Sequence, residues 1–358
     1  MIGKFSLTRT LPVALLLAAL LVPGLTTASP RIALLDQPAL QSARAARAVL
    51  LAVTRAGERL VAVGERGIVL LSDDSGMSWR QARVPVSVSL TAVQFVDAEQ
   101  GWAVGHMGVI LHSTDGGETW VKQLDGMAAA KLALVQAQQG DDPKQLKDAE
   151  RLVADGPDKP FLDLYFRDRR DGYAVGAYGL ILRTVDGGNS WQPWMGQVEN
   201  PDDLNLYGIR AAGNALFIVG ERGLLLRSND NGRSFQALES PYDGSFFGLL
   251  GSSTGELVAF GLRGNAYWSA DEGASWRPIE TGLEVALSSA TKLTDGTWVL
   301  ASQAGDVLLS LDKGGHFRHS PGPAAPSIAG VVAAPDGNLI GVGLSGPSRL
   351  DHDLGALR

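Results

Sequence analysis

Apolar positions fall in short runs of three to five along this chain, and most of those runs lead into or out of a glycine turn. Gly101-Trp102-Ala103-Val104 and Ala215-Leu216-Phe217-Ile218-Val219 each lead into one. The turns read Val63-Gly64-Glu65-Arg66-Gly67, Val104-Gly105-His106-Met107-Gly108, Val175-Gly176-Ala177-Tyr178-Gly179, Val219-Gly220-Glu221-Arg222-Gly223 and Phe260-Gly261-Leu262-Arg263-Gly264. A sixth, Ala301-Ser302-Gln303-Ala304-Gly305, lacks the first glycine, and a seventh reads Val342-Gly343-Leu344-Ser345-Gly346. Beyond the turn lies a second apolar run, such as Val69-Leu70-Leu71, Ile181-Leu182-Arg183 or Leu224-Leu225-Leu226. Runs of this length, bounded by turn residues, predict β-strands joined as hairpins.

A second pattern follows each of the first six turns. It reads Ser72-x-Asp74-x-Gly76-x-x-Trp79 at its first occurrence and recurs around Asp115, Asp186, Asp230, Asp271 and Asp312. Successive aspartates are 41, 71, 44, 41 and 41 residues apart. A fixed period of that size, with one aromatic and one turn per unit, is the signature of propeller blades. In such a box the carboxylate is expected to accept amides of its own hairpin, with the Ser or Thr hydroxyl adding a second local bond. The aromatic is expected to sit between neighbouring sheets. The six aspartates therefore read as fold devices, not as catalytic groups or calcium ligands.

Residues 29–358 number 330, the 71-residue interval exceeds the repeat by 30, and the remainder divides into just over seven units. The prediction is an all-β, seven-bladed propeller of four-stranded blades. Strand C of blade seven falls near Ser348-Arg349-Leu350, with no Asp box recognised after it. The segment Arg31 to Leu35 is expected to supply the absent outer strand and close the ring, removing an exposed edge. The extra stretch, 125–160, predicts a helical hairpin between blades two and three. Its helices are Met127–Gln138 and Lys144–Ala154, broken at Gly140-Asp141-Asp142-Pro143. It reads either as a tolerated surface insertion or as a docking element.

Composition narrows the function. Lys4, Arg9, the apolar stretch Leu11 to Leu21 and Thr26-Thr27-Ala28 mark residues 1–28 as a signal peptide, with an uncleaved anchor as the alternative. The protein is expected to be exported. There is no cysteine, so disulfides and thiolate chemistry are absent. A net charge of −7 argues against nucleic-acid binding. The five histidines form no zinc motif, and no phosphate-binding loop precedes a helix. No metal, cofactor or small-molecule substrate is expected, and the chain is expected to be a monomer.

The glycine turn and the Asp box stand at a near-constant offset, as from Val175-Gly176-Ala177-Tyr178-Gly179 to Thr184-Val185-Asp186-Gly187-Gly188. This combined unit spans roughly residues 50–350 and resembles the photosystem II stability/assembly factor family of exported seven-bladed propellers. The resemblance implies a non-enzymatic factor that holds a membrane-protein segment or complex during assembly. It places the protein in the periplasm, or in the thylakoid lumen of a photosynthetic host. The Asp box alone also occurs in sialidases, xyloglucan-type glycosidases and sorting receptors.

Two basic sets are candidate binding residues. The glycine turns present Arg66, Arg222 and Arg263, with His106 and Tyr178, on the face shared by the strand D-to-A connections. Guanidinium groups around one funnel suit partner carboxylates; alternatively they are solvated and partly paired with Glu65 and Glu221. His112, Arg183 and Arg227 occupy one strand C position in blades two, three and four. They read as a basic stripe for an acidic peptide or headgroup, or as local ion pairs between blades. Docking through an arginine-rich surface, which the resemblance implies, favours a binding role. The rival is an Asp-box glycosidase, which requires two carboxyl groups ~5–9.5 Å apart. Glu65 and Glu221 fall nearly opposite each other on the ring, and the Arg-Ile-Pro motif of sialidases is absent. Asp202, Asp203 and Asp243 remain as candidate acids.

Overall fold

The structure, a computed structural model, describes residues 1–3, 32–320 and 326–350. Most of the expected signal peptide and the residues after strand C of blade seven lie outside that set. Seven antiparallel sheets follow one another in chain order. Each is a meander that starts at strand A, and in the first six it leads outward to strand D. Blade one shows the plan: A is Leu50–Ala56, B Arg59–Gly64, C Val69–Ser72 and D Arg80–Gln81. Strand B of each blade is sandwiched between neighbours, and in blade two Trp102, Ala103 and Val104 are all fully buried.

Apolar clusters fill the layers between adjacent blades. Between blades two and three, Trp102 stacks on Phe166 with ring centroids 3.7 Å apart. Each box aromatic enters such a layer, as expected. Trp120 joins the cluster between blades one and two, Trp191 the next, and Phe235 the one after that.

The insertion forms two helices, α2 (Gly126–Ala137) and α3 (Pro143–Asp155). Asp125 caps the first by accepting the Ala128 amide, and Asp142 caps the second by accepting the amides of Lys144 and Gln145. Small side chains, Ala133 and Ala137 against Ala149, let the helices approach closely.

The closing strand is a correction. Residues Ala33–Asp36 form a helical turn, α1, not an outer strand of blade seven. Among the described residues blade seven has three strands, Gly330–Ala333, Leu339–Gly343 and Gly346–Leu350. The N-terminal segment lies over the connection from blade one to blade two, where Leu35 and Ala39 are buried with Val84 and Val86. The Ala39 amide donates to Val84 O at 3.0 Å and the Ser87 amide to Leu34 O at 2.8 Å. Apolar cover at that connection outcompetes edge pairing in blade seven. Chain entry instead imitates a D-to-A connection. A Cβ on Gly346 would stand 2.1 Å from Ala46 O, the same contact that Gly67 makes with Val86 O and Gly223 with Tyr242 O.

Side-chain latches also join the blades. The residue after each box aspartate is left-handed: Ser75, Gly116, Gly187, Asn231, Glu272 and Lys313 have φ between 53° and 75°. The preceding blade reaches for that residue each time. Arg59 donates to Gly116 O at 3.1 Å, Trp102 to Gly187 O at 3.2 Å, Tyr173 to Asn231 O at 3.3 Å and Trp268 to Lys313 O at 3.0 Å. Arg227 meets the Glu272 carboxylate at 3.2 Å. At the seam, Arg349 of blade seven donates to Ser75 O of blade one while pairing with Asp336 at 2.8 Å.

Candidate functional site

Five glycine turns are short 3-10 segments: Glu65–Gly67, His106–Gly108, Ala177–Gly179, Glu221–Gly223 and Leu262–Gly264. The central residue of each is left-handed. Arg66, Met107, Tyr178, Arg222 and Arg263 have φ of 55°, 56°, 55°, 53° and 56°. That conformation costs a side-chain-bearing residue about 1–2 kcal/mol, so the surrounding bonds must hold it. In blade one, Glu65 N donates to Val49 O, Gly64 N to Ile68 O and Ile68 N to Glu65 O, each at 3.0 Å. The second glycine of the turn abuts the next D-to-A connection, so turns and connections share one face.

Arg66, Arg222 and Arg263 are exposed on that face. Among the described residues none of the three guanidinium groups makes an ion pair or a side-chain hydrogen bond. Glu221 is engaged by Asn205 Nδ2 at 3.0 Å rather than by an arginine. Apolar tips stand between the arginines: Tyr178 is 64% exposed, Leu262 37% and Leu344 66%.

The strand C set has a different environment. His112 stacks on Trp102 at 4.7 Å and contacts Gln100 Oε1 at 3.0 Å, and burial pushes its pKa down. Arg183 pairs with Asp171 at 3.3 Å and lies over the rings of Tyr173 and Trp194, its side chain 16% exposed. Arg227 holds Asn229 at 2.6 Å and Glu272 at 3.2 Å, 21% exposed. All three are committed to partners in their own or the next blade. Of the candidate acids, Asp203 pairs with Lys144 of α3 at 3.1 Å.

The Asp boxes carry the expected local bonds. Asp186 Oδ1 accepts the Thr184 hydroxyl at 2.8 Å and the Ser190 amide at 2.9 Å, and Thr184 Oγ1 accepts the Gly188 amide at 2.8 Å. One position escaped the sequence reading. The residue before each aromatic, Ser78, Thr119, Ser190, Ser234, Ser275 or His316, donates from its side chain to the second carboxylate oxygen. Five of these six are Ser or Thr, a regularity visible in the sequence. Among the described residues no group of three or more His, Cys, Asp or Glu is placed to hold a metal ion.

These bonds depress the carboxyl groups. Bonds from the Ser78 hydroxyl and amide and the Ser72 hydroxyl hold Asp74 at about 2. Partial burial opposes ionisation of Asp230, but the amide and hydroxyl of Ser234 and the Ser228 hydroxyl outweigh it and hold that group at about 2 as well. A depressed carboxyl pKa contributes stability that is fully present above the unfolded value, 3.8, and lost as pH falls through the folded value. Denaturant midpoints are therefore expected to hold steady at pH 5 and above and to drop steeply between about pH 4 and pH 2. A flat profile across that window would contradict the role given to the boxes.

Among the described residues no helix is long and apolar enough to cross a membrane. No curated protein matches the sequence significantly. Among solved structures, one described as YCF48 bound to D1 peptide superposes with a TM-score of 0.62 at 17% identity, covering 88% of this chain and 97% of that one. YCF48 from Cyanidioschyzon merolae gives 0.59 at 15% identity, covering 84% and 95%. The WD40 propeller domain of Doa1 gives 0.62 at 13% identity, covering 88% and 95%, so these likenesses establish the seven-bladed fold and nothing narrower. A sequence profile described as photosynthesis system II assembly factor YCF48 matches residues 41–140 and 147–324, and with most of its length so matched the chain belongs to that family.

Proposed function

We propose that this protein is a non-enzymatic, exported scaffold whose turn face holds a segment of a membrane protein while a larger complex is built or maintained. The observation that carries the reading is the state of Arg66, Arg222 and Arg263: three exposed guanidinium groups without an acidic partner among the described residues, in a chain of net charge −7. Unpaired charge on a preformed face favours association by steering and selectivity, with little ordering cost. The family and the peptide-bound relative support a segment of membrane protein as the ligand class. Export rests on the sequence pattern of residues 1–28. Mild crosslinking in the native host, followed by purification of the tagged protein, tests the reading. Co-purification of one membrane complex is expected, together with no turnover of a glycoside panel. Recovery of the protein free of membrane proteins, or glycoside hydrolysis lost on replacing Asp202 or Asp243, would overturn it.

A further inference from the structure

The turn face carries a second feature, at the inner end of strand A. In blades one, two, four, five and six the register of strand A jumps across its second residue, and in blade three the pairing passes from Phe161 to Asp163. The residue left unpaired is Leu51, Thr91, Leu162, Tyr207, Phe247 or Ser288 in successive blades. A bulge of this kind re-aims a side chain out of the ladder. In blades two and six the fold uses it: Thr91 donates to Phe161 O at 2.7 Å and Ser288 to Ile328 O at 2.6 Å. In blades four and five it is aromatic, and Tyr207 and Phe247 meet edge to face with centroids 5.6 Å apart.

Neither ring joins the apolar clusters of the adjoining layers. Both are only partly buried. They are held together because Gly208 and Gly248 follow them; a Cβ on Gly208 would stand 3.3 Å from Gly248 Cα. The Tyr207 hydroxyl lies 3.4 Å from Asn205 Nδ2, beside the turn of blade four. Ser245, two residues before Phe247, ties both arginine turns to this spot: its hydroxyl accepts the Arg222 amide at 3.4 Å and its carbonyl the Leu262 amide at 3.0 Å.

We infer that Tyr207 and Phe247 form the anchor subsite of the turn face, and that its occupant is an extended acidic segment presenting one bulky apolar side chain. The apolar side chain seats against the aromatic pair, and carboxylates flanking it meet Arg222 and Arg263. An aromatic pair rimmed by arginines that have no acidic partner among the described residues is the composition of a binding hot spot. The inference rests on the reading of the turn face as the partner-binding surface, and adds which chemistry that face selects.

The test uses the full chain and two fluorescein-labelled peptides, one with the core Glu-Asp-Phe-Asp-Glu and the other with alanine at its centre, followed by fluorescence anisotropy. The phenylalanine peptide is expected to bind about tenfold more tightly. Phe247→Ala erases that difference and leaves the alanine peptide unchanged, while Phe247→Leu, which keeps most of the volume, retains part of it. Arg222→Glu/Arg263→Glu weakens both peptides. Equal affinity of the wild-type chain for the two peptides, or equal loss for both in Phe247→Ala, overturns the subsite alone. Failure of the wild-type chain to bind either peptide overturns the turn-face reading with it.

Discussion

Reversing Arg66, Arg222 and Arg263 to glutamate together is expected to abolish capture of the membrane partner while shifting the melting temperature by no more than about 2 °C. Among the described residues the three guanidinium groups have no acidic partner, so that part of the fold loses no ion pair when they go. A partner carboxylate loses its counter-charge and meets repulsion, and truncating one member of an interfacial charge pair alone costs about 2–5 kcal/mol. The loss in affinity is therefore about a hundredfold or more. Arg183→Glu/Arg227→Glu is expected to behave in the opposite way. Those substitutions set like charges beside Asp171 and Glu272 at sites only 16% and 21% exposed, and destabilise the fold by about 3 kcal/mol or more. Thermal melts and crosslinking capture on the two variants, side by side, separate the sets. A triple variant that melts early, or a strand C variant that melts like the parent, would invalidate the division.

The second large effect concerns the first glycine of each turn. A Cβ on Gly105 would lie 2.1 Å from Ser89 O and 2.8 Å from Leu90 Cα, and Gly64, Gly176, Gly220 and Gly261 each face a carbonyl at 2.1–2.2 Å. The φ of Gly105 is −177°, an angle open to any residue, so the requirement is one of space alone. Neither the start of strand A nor the turn can retreat without breaking the bond from the His106 amide to Ser89 O, 2.9 Å. Gly105→Ala is expected to destabilise the protein by about 3 kcal/mol, which lowers the melting temperature by roughly 4–5 °C in a domain of this size. Blade six shows what a side chain there demands. Ser302 is fully buried, and its hydroxyl donates to Asp306 Oδ2 at 2.6 Å and accepts the Ala304 and Asp306 amides. A Gly105→Ala protein that melts within about 2 °C of the parent would refute the steric argument.

Architecture was legible because it repeats. One blade is an ambiguous set of short strands, but an aspartate returning at intervals near 41 residues admits few folds, and the single 71-residue interval set the helical hairpin apart from the blades. The path of Ala33–Asp36 was not legible. Four residues of mostly apolar character suit a helical turn as well as an edge strand, and the choice lies with Val84 and Val86, which no local pattern connects to them. The environments of the two basic sets were equally hidden. Sequence placed Arg183 and Arg227 at equivalent strand positions, yet their partners are Asp171, across a hairpin, and Glu272, on the next blade. The aromatic bulges at Tyr207 and Phe247 were missed because a bulge is invisible until the register is known.

The seam has a consequence for how the chain is made. Blades two to six each complete the box hairpin with a side chain already synthesised, since the reaching residue belongs to the blade before. Blade one alone depends on Arg349, 274 residues downstream of Ser75. Its hairpin carbonyl stays open from the start of synthesis until the last blade emerges. During that interval the nascent chain is a growing arc with one unfinished end, and the N-terminal blade is where a holding chaperone has the most to protect.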